Sequence, residues 1–429
     1  MIRGLACTLV LVAASPADAA RPVLAGEATF GVANGAFLVH YATTGGDAAP
    51  AADLDGDAIP DFVTEVAEVV EDALPRFAAL GFRAPLSDGA LGGDGRIDIY
   101  LRDLAIADGN TGIDQCTGTH CVGYIVAEND FAGFSYPTVG EGIRSVAPHE
   151  LFHLIQHAYA AEQSPTWTEG SAVWSVEHLY GDGNADFERF LPTFLSKTFR
   201  PFERPATGFG DGYPYGAALW PYFLEQRFGA AAVVAAWTAC ETMPFADTID
   251  DAAWIEFTRW NQFAGTPASS GGYPAAASFP RAPREPTIDP TIDPASATIY
   301  VEGLSARYVP LALATAQQVE IDSGPIAVAA WIVPTGGSLD AGIELAPAAG
   351  SPALVATVGP GDHTLVVTGL GRNTLAAAVT ITLGEPPVSS DDSGSCQASP
   401  DACFGLVGFL MLVVVRRRGY RPATRAASS

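Results

Sequence analysis

The five residues His149-Glu150-Leu151-Phe152-His153 constrain this chain more than any other stretch. Two histidines four apart share a face only if the stretch is helical, one turn separating them. That spacing suits two imidazoles to one tetrahedral zinc ion. Glu150 projects about a quarter turn away, placed to reach a water rather than to complete the ligand set. Leu151, Leu154 and Ile155 supply a separate apolar face for burial. A working zinc site needs a third protein ligand and one open position, so the fold must bring another donor back against this helix. Glu169, in Trp167-Thr168-Glu169-Gly170 and sixteen residues after His153, is the favoured third ligand over Glu177. His157 is the rival, but three histidines at i, i+4 and i+8 spread along about 12 Å of helix. The helix is expected to start near Ser145, with Pro148 in its first turn. A second helix is expected over 169–180.

The N-terminus reads as a secretory leader. Arg3 is followed by an apolar run over 5–14 and by Ala17-Asp18-Ala19, which sets a signal peptide at 1–19. The run is too short to span a bilayer. In an oxidising compartment Cys116 and Cys121, five apart, are expected to pair locally. A C-x4-C zinc half-site is the other reading, and Cys240 reads as a buried thiol. The balance of 48 Asp+Glu against 22 Lys+Arg, a formal −26, argues against nucleic acid or anionic lipid as partners. It suits a protein that binds cations. A length of 429 residues with 48% hydrophobic content can build two cores.

In chain order, Asn34-Gly35 separates two strand-like runs, 28–33 and 36–42, and predicts a hairpin. Asp53, Asp55, Asp57 and Asp61 then crowd one tight loop, 53–61. Carboxylates so spaced repel one another unless a hard cation sits among them, and calcium is the expected ion, a plain acidic turn being the other reading. Thr64 stands where an EF-hand has its last Glu, so the loop is nearer to the calcium repeats of extracellular proteins. Residues 62–74 predict an amphipathic helix ended or kinked by Pro75. Strands are predicted at 96–101 and 122–127. An edge strand beside a metal helix can hold extended substrate by strand addition. Helices follow at 187–197, 215–229, 230–241 and 251–262. The fold class is therefore α+β: a strand-rich half and a helical half making one domain over 20–265. A Pro/Gly-rich linker over 266–295, with its repeat Thr287-Ile-Asp-Pro290 and Thr291-Ile-Asp-Pro294, reads as an extended tether. A small β-sandwich is expected over 296–384, and a tail over 385–429.

That tail holds Cys396 and Cys403, an apolar run over 404–415 and Arg416-Arg417-Arg418. It resembles the C-terminal sorting tails called MYXO-CTERM, which implies export with surface anchoring or release. A single membrane anchor is the plainer reading. The set His149-Glu150-x-x-His153 with Trp167-x-Glu169-Gly170 resembles the gluzincin zinc peptidases. There the third ligand is a Glu on the following helix, and the implied fold is zincin-like. With the Asp-rich loop, Gly92-Gly-Asp-Gly-Arg-Ile-Asp-Ile-Tyr100 and the tail, the chain is also similar to secreted metallopeptidases of myxobacterial type. The resemblance covers roughly residues 36–230 and the tail. It implies a Tyr or His downstream of the third ligand as oxyanion donor, for which Tyr215 is the leading candidate and Tyr213 the second. It also raises a weaker role for Glu128 in gripping a substrate amine.

The function these readings support is a secreted zinc metallopeptidase, an endopeptidase in its leading form, acting on protein or peptide. His149, His153 and Glu169 hold Zn2+, and Glu150 is the general base. The Asp loop holds Ca2+. Two alternatives stand. One is a non-catalytic, calcium-binding surface or adhesion protein with a structural or degenerate zinc site. The other is a zinc hydrolase acting on a non-peptide bond.

Overall fold

The runs on either side of Asn34-Gly35 form β1 (Glu27–Phe30) and β2 (Phe37–Ala42), paired antiparallel with Phe30 opposite Val39. Asn34 takes a left-handed φ of 62°. The strands stop short of it, so the connection is a wider loop than a two-residue turn. The computed structural model describes residues 20–386, apart from 182–184, 209, 268–269, 292–294 and 373–374. The stretch expected to be a signal peptide, 1–19, and the expected sorting tail beyond 386 lie outside the described residues. The described part belongs to one compact unit with both helices and sheets, an α+β chain.

Five strands make the first sheet, in the order β1-β2-β3-β5-β4. β3 is Ile97–Arg102, β4 Gly109–Thr117 and β5 His120–Glu128. β2, β3 and β5 run parallel, while β4 returns antiparallel as the edge. The strand expected at 122–127 is therefore interior. The edge is β4, in a Gly/Thr-rich stretch where the sequence predicts no strand. Cys116 and Cys121 face each other across β4 and β5 and form the disulfide. Cys240 is a buried free thiol.

Side-chain alternation divides the sheet's two faces. Val39, Tyr41, Ile99, Leu101, Ile125 and Ala127 join the core beneath the helices. Tyr100, Tyr124 and Val126 pack on the other face under Leu24. On that second face Arg21 pairs with Asp88, Asp98 and Asp114.

Helix α1 (Asp61–Leu80) continues through Pro75 and ends at Gly81, φ 100°. The proline did not stop it. Helix α2 (Val139–His157) starts six residues before Ser145 because Thr138 caps it there. Thr138 Oγ1 accepts the Glu141 N–H at 3.2 Å. Pro148 thus lies inside the helix rather than in its first turn. Helix α3 (Pro165–Tyr180) begins with Pro165 at its first position, so Glu169 sits in its second turn. Helices α4 (Ala185–Leu195), α5 (Tyr213–Gly216), α6 (Leu219–Phe228), α7 (Ala231–Ala239), α8 (Phe245–Thr248) and α9 (Asp251–Gln262) complete the helical part. Among the described residues no helix is long and apolar enough to cross a membrane.

Two more sheets stack on a shared apolar core that includes Val309, Ile321, Leu365 and Ile381. Their strands are β6 (Ser296–Val301), β7 (Ala306–Leu313), β8 (Gln317–Asp322), β9 (Val328–Pro334), β10 (Ile343–Glu344), β11 (Ala346–Pro347), β12 (Leu354–Val358), β13 (Gly361–Gly369) and β14 (Ala377–Gly384). The sheet orders are β10-β9-β13-β7 and β11-β12-β8-β14-β6. The stretch expected to be a free tether is instead laid against the protein. Tyr273, Ala276, Phe279 and Ala282 are buried, and Ile288 pairs with Leu311 on the open edge of β7. Glu285 N donates to Tyr308 O at 2.9 Å, which further covers that edge. Leu304, in the β6–β7 turn with φ 49°, is buried in the core of the helical part. Phe202 N donates to its carbonyl at 2.9 Å.

Candidate metal centre

Helices α2 and α3 meet at three donor atoms. His149 Nε2 lies 3.1 Å from His153 Nε2. Glu169 Oε2 lies 3.3 Å from His149 Nε2 and 3.5 Å from His153 Nε2. A tetrahedral zinc ion with ligands at about 2.0–2.1 Å keeps those ligands roughly 3.3 Å apart. The three edges therefore have the dimensions of one face of such a tetrahedron. All three atoms offer lone pairs, and two imidazole nitrogens and a carboxylate are a zinc donor set. The residues fit the ion.

The electrostatics agree with a cation site. Burial raises the Glu169 carboxyl, but the neighbouring His153 and His149 overcome it and hold the group well below the carboxylate range. Burial lowers His153, and Glu169 and Glu150 more than reverse this, pushing it up to about 9. Without an ion, a proton does the neutralising.

Glu150 also has a ligand atom within 4.8 Å of those of His149 and His153. Its carboxylate, however, is committed elsewhere: Thr111 Oγ1 on β4 donates to Glu150 Oε2 at 2.8 Å. Burial raises its pKa, opposed by the two histidines. Glu150 is thus a buried carboxyl beside the ligand triangle, held by the edge strand. Gly109 makes this approach possible, because a Cβ there would stand 2.6 Å from Val146 and 2.9 Å from Glu150.

His157 is not brought to the triangle. It lies one turn on, and burial moves it down to about 3. Tyr215 is brought in. Its ring stacks on His149 at 6.1 Å and 15° and packs tilted against Phe190 at 4.9 Å. Burial raises its hydroxyl well above the usual tyrosine value, with Glu169 and Glu150 adding to the shift. Tyr213 points away: its hydroxyl donates to Arg200 O at 3.3 Å and its ring lies under the Arg200 guanidinium. Glu128 is also placed elsewhere. Alternation along β5 sets it with Tyr124 and Val126 on the face opposite the helices, where Leu104 N donates to it at 2.6 Å.

Several residues at the site carried no sequence signal. Asp108 accepts from Tyr136 at 2.6 Å, and Asp186 accepts from Ser145, one turn before His149, at 3.1 Å. Burial, then Asp108, raise Asp186. Gln156, Thr111 and Gly109 belong to the same group. Nothing in their local patterns sets them apart, since each matters through a neighbour distant in sequence.

In the Asp-rich loop, Asp53, Asp55 and Asp61 offer carboxylate oxygens within 4.8 Å of one another. Asp57 stands outside that trio and accepts the Ile59 N–H at 2.8 Å. The loop's carboxylates also accept its own N–H groups, Gly56 N to Asp53 at 2.8 Å among them.

No protein-family model matches the chain. No curated protein matches it. Among solved structures, the pre-peptidase C-terminal domain of a collagenase from Bacillus anthracis is similar over 24% of this chain and 99% of that one, at 13% identity and a TM-score of 0.19. That likeness is too slight to support a fold or an activity.

Proposed function

We propose that the chain is a zinc-dependent metallopeptidase of gluzincin type on a zincin-like domain. The reading rests on one observation above others, the triangle of His149, His153 and Glu169 donor atoms at 3.1, 3.3 and 3.5 Å. When bound there, zinc would lower the pKa of a water and polarise a scissile carbonyl. Glu150, beside the triangle and steadied by Thr111, takes the proton of the attacking water and delivers it to the leaving amine. Its buried setting keeps a proton available for that second step. Tyr215, stacked on His149, is the candidate donor to the developing oxyanion. The outer edge of β4 offers unpaired backbone groups to an extended peptide. Export follows from the leader and tail, which are sequence readings.

The test is casein hydrolysis by the zinc-loaded chain and by its Glu150→Gln variant. A loss on the order of 100- to 10,000-fold is expected for the variant at unchanged zinc content. Equal activity in the two proteins removes Glu150 from its role.

The Asp-rich loop is proposed to take Ca2+ through Asp53, Asp55 and Asp61, with Asp57 outside the close trio. Calcium should raise the melting temperature of the wild type and not of Asp55→Ala. A calcium shift that survives the substitution removes the assignment.

A further inference from the structure

We propose that Gln156 is a positioning residue that ties two of the metal ligands together across two helices. The proposal rests on the zinc-site reading and deepens it. Gln156 is 2% exposed, three residues after His153 on α2. Its carboxamide meets both helices. The Oε1 end lies 2.9 Å from His153 Nδ1. The Nε2 end donates to Thr168 O at 2.9 Å and to Ser171 Oγ at 3.2 Å on α3. Thr168 is the residue immediately before Glu169.

The orientation of this amide follows from its neighbours. A backbone carbonyl only accepts, so the NH2 group must face Thr168 O. Ser171 Oγ gives its proton to Trp167 O at 2.7 Å and accepts from the indole of Trp237 at 3.2 Å, so it too takes a proton from Gln156. The carbonyl end is then left for His153. A carbonyl oxygen can only receive, so His153 Nδ1 must carry the hydrogen. In the neutral ring, the form that binds a metal, the His153 Nε2 lone pair is thereby the one at the triangle.

Only an amide can do both tasks. A glutamate could accept from His153, but it would set a carboxylate against Thr168 O in a buried place. A methionine of similar length would do neither. Gln156 thus fixes which nitrogen of His153 faces the ion, and fixes residue 168 against α2 at the position where Glu169 leaves α3. It does this without adding charge.

The experiment uses the full chain, wild type and Gln156→Met, in two measurements. In the metal-free protein, at a pH where the His153 ring is neutral, nitrogen-15 NMR of the imidazoles reads whether its Nδ1 bears the hydrogen and how fast it exchanges. The wild type should show a bound, slowly exchanging Nδ1–H, and Gln156→Met should lose that protection. Zinc affinity by chelator competition should fall about 10- to 100-fold in the variant. A wild-type His153 with a bare Nδ1 overturns the proposal, and this reading needs no variant to fold. Zinc binding equally tight with and without Gln156 overturns it as well. A wild type that binds no zinc, yet keeps the protected Nδ1–H, overturns the zinc-site reading and leaves the orientation of His153 standing. Ser171→Ala is the milder companion, expected to speed Nδ1–H exchange less than Gln156→Met does.

Discussion

Glu128 and Glu150 are both buried carboxyls raised by desolvation, yet their surroundings differ. Glu150 stands beside two histidines and Glu128 beside Asp130 and Asp103. Burial, with those two aspartates, moves Glu128 up to about 7 from 4.5. A raised carboxyl favours the folded state most fully below its unfolded pKa, and that contribution is lost as pH rises through about 7. Stability should therefore decline between pH 4.5 and 7 by an amount on the order of 2 kcal/mol from this group alone. Denaturant melts of wild type and Glu128→Gln across that range check it. The variant should be flatter with pH and more stable than wild type at pH 8; parallel curves would refute the assignment. At this scale the sequence was legible where function repeats at short spacing. His149, Glu150 and His153 are a local pattern, and Glu169 follows from what zinc still lacks. Thr111 and Gln156 were not legible. Thr111 meets Glu150 across 39 residues of chain, and an ordinary glutamine on a helix gives no sign that its amide has an imidazole at one end and a carbonyl at the other.

Among elements, β4 matters most to the site. Gly109, Asn110, Gly112 and Asp114 lower its strand propensity, so the sequence predicts no strand there. Antiparallel pairing with β5 and the Cys116–Cys121 disulfide make it a strand. It carries Gly109, which lets α2 approach, and Thr111, which holds Glu150. Thr111→Val keeps the shape and removes the hydroxyl. Turnover should fall about 10-fold, in line with the loss of one positioned hydrogen bond to Glu150, the proposed general base, while zinc content stays the same. Steady-state peptide hydrolysis checks this, and unchanged turnover would detach β4 from the chemistry. Helix existence was readable from apolar periodicity, whereas helix starts were not. Pro148 and Pro75 argued for boundaries. The Thr138 N-cap and the packing of α1 on the sheet outweighed them.

For the whole molecule, the sequence separated a sandwich from the rest by a tether, and the fold joins them. Composition rich in Pro, Gly and Ala reads as a linker, but buried Tyr273 and Phe279 are large apolar side chains that such a composition conceals. Leu304 enters the helical core, Tyr308 donates to Thr258 O at 3.0 Å, and Thr258 meets Thr368 at 2.7 Å. Arg372 pairs with Asp251 across the same junction. The sandwich therefore supports the helical part from behind, on the side of Phe202 and Tyr213. Contacts of this kind are specified jointly by residues far apart in the chain, and no window of sequence contains them.

The central claim is that α2 and α3 build one zinc site from two imidazoles and one carboxylate. X-ray absorption at the zinc edge of the loaded full chain addresses it most directly. The expected result is one zinc per chain with nitrogen and oxygen neighbours at about 2.0–2.1 Å, two of them imidazoles, and one imidazole fewer in His153→Ala. A purified chain that takes up no zinc, or a spectrum dominated by sulfur, would contradict it.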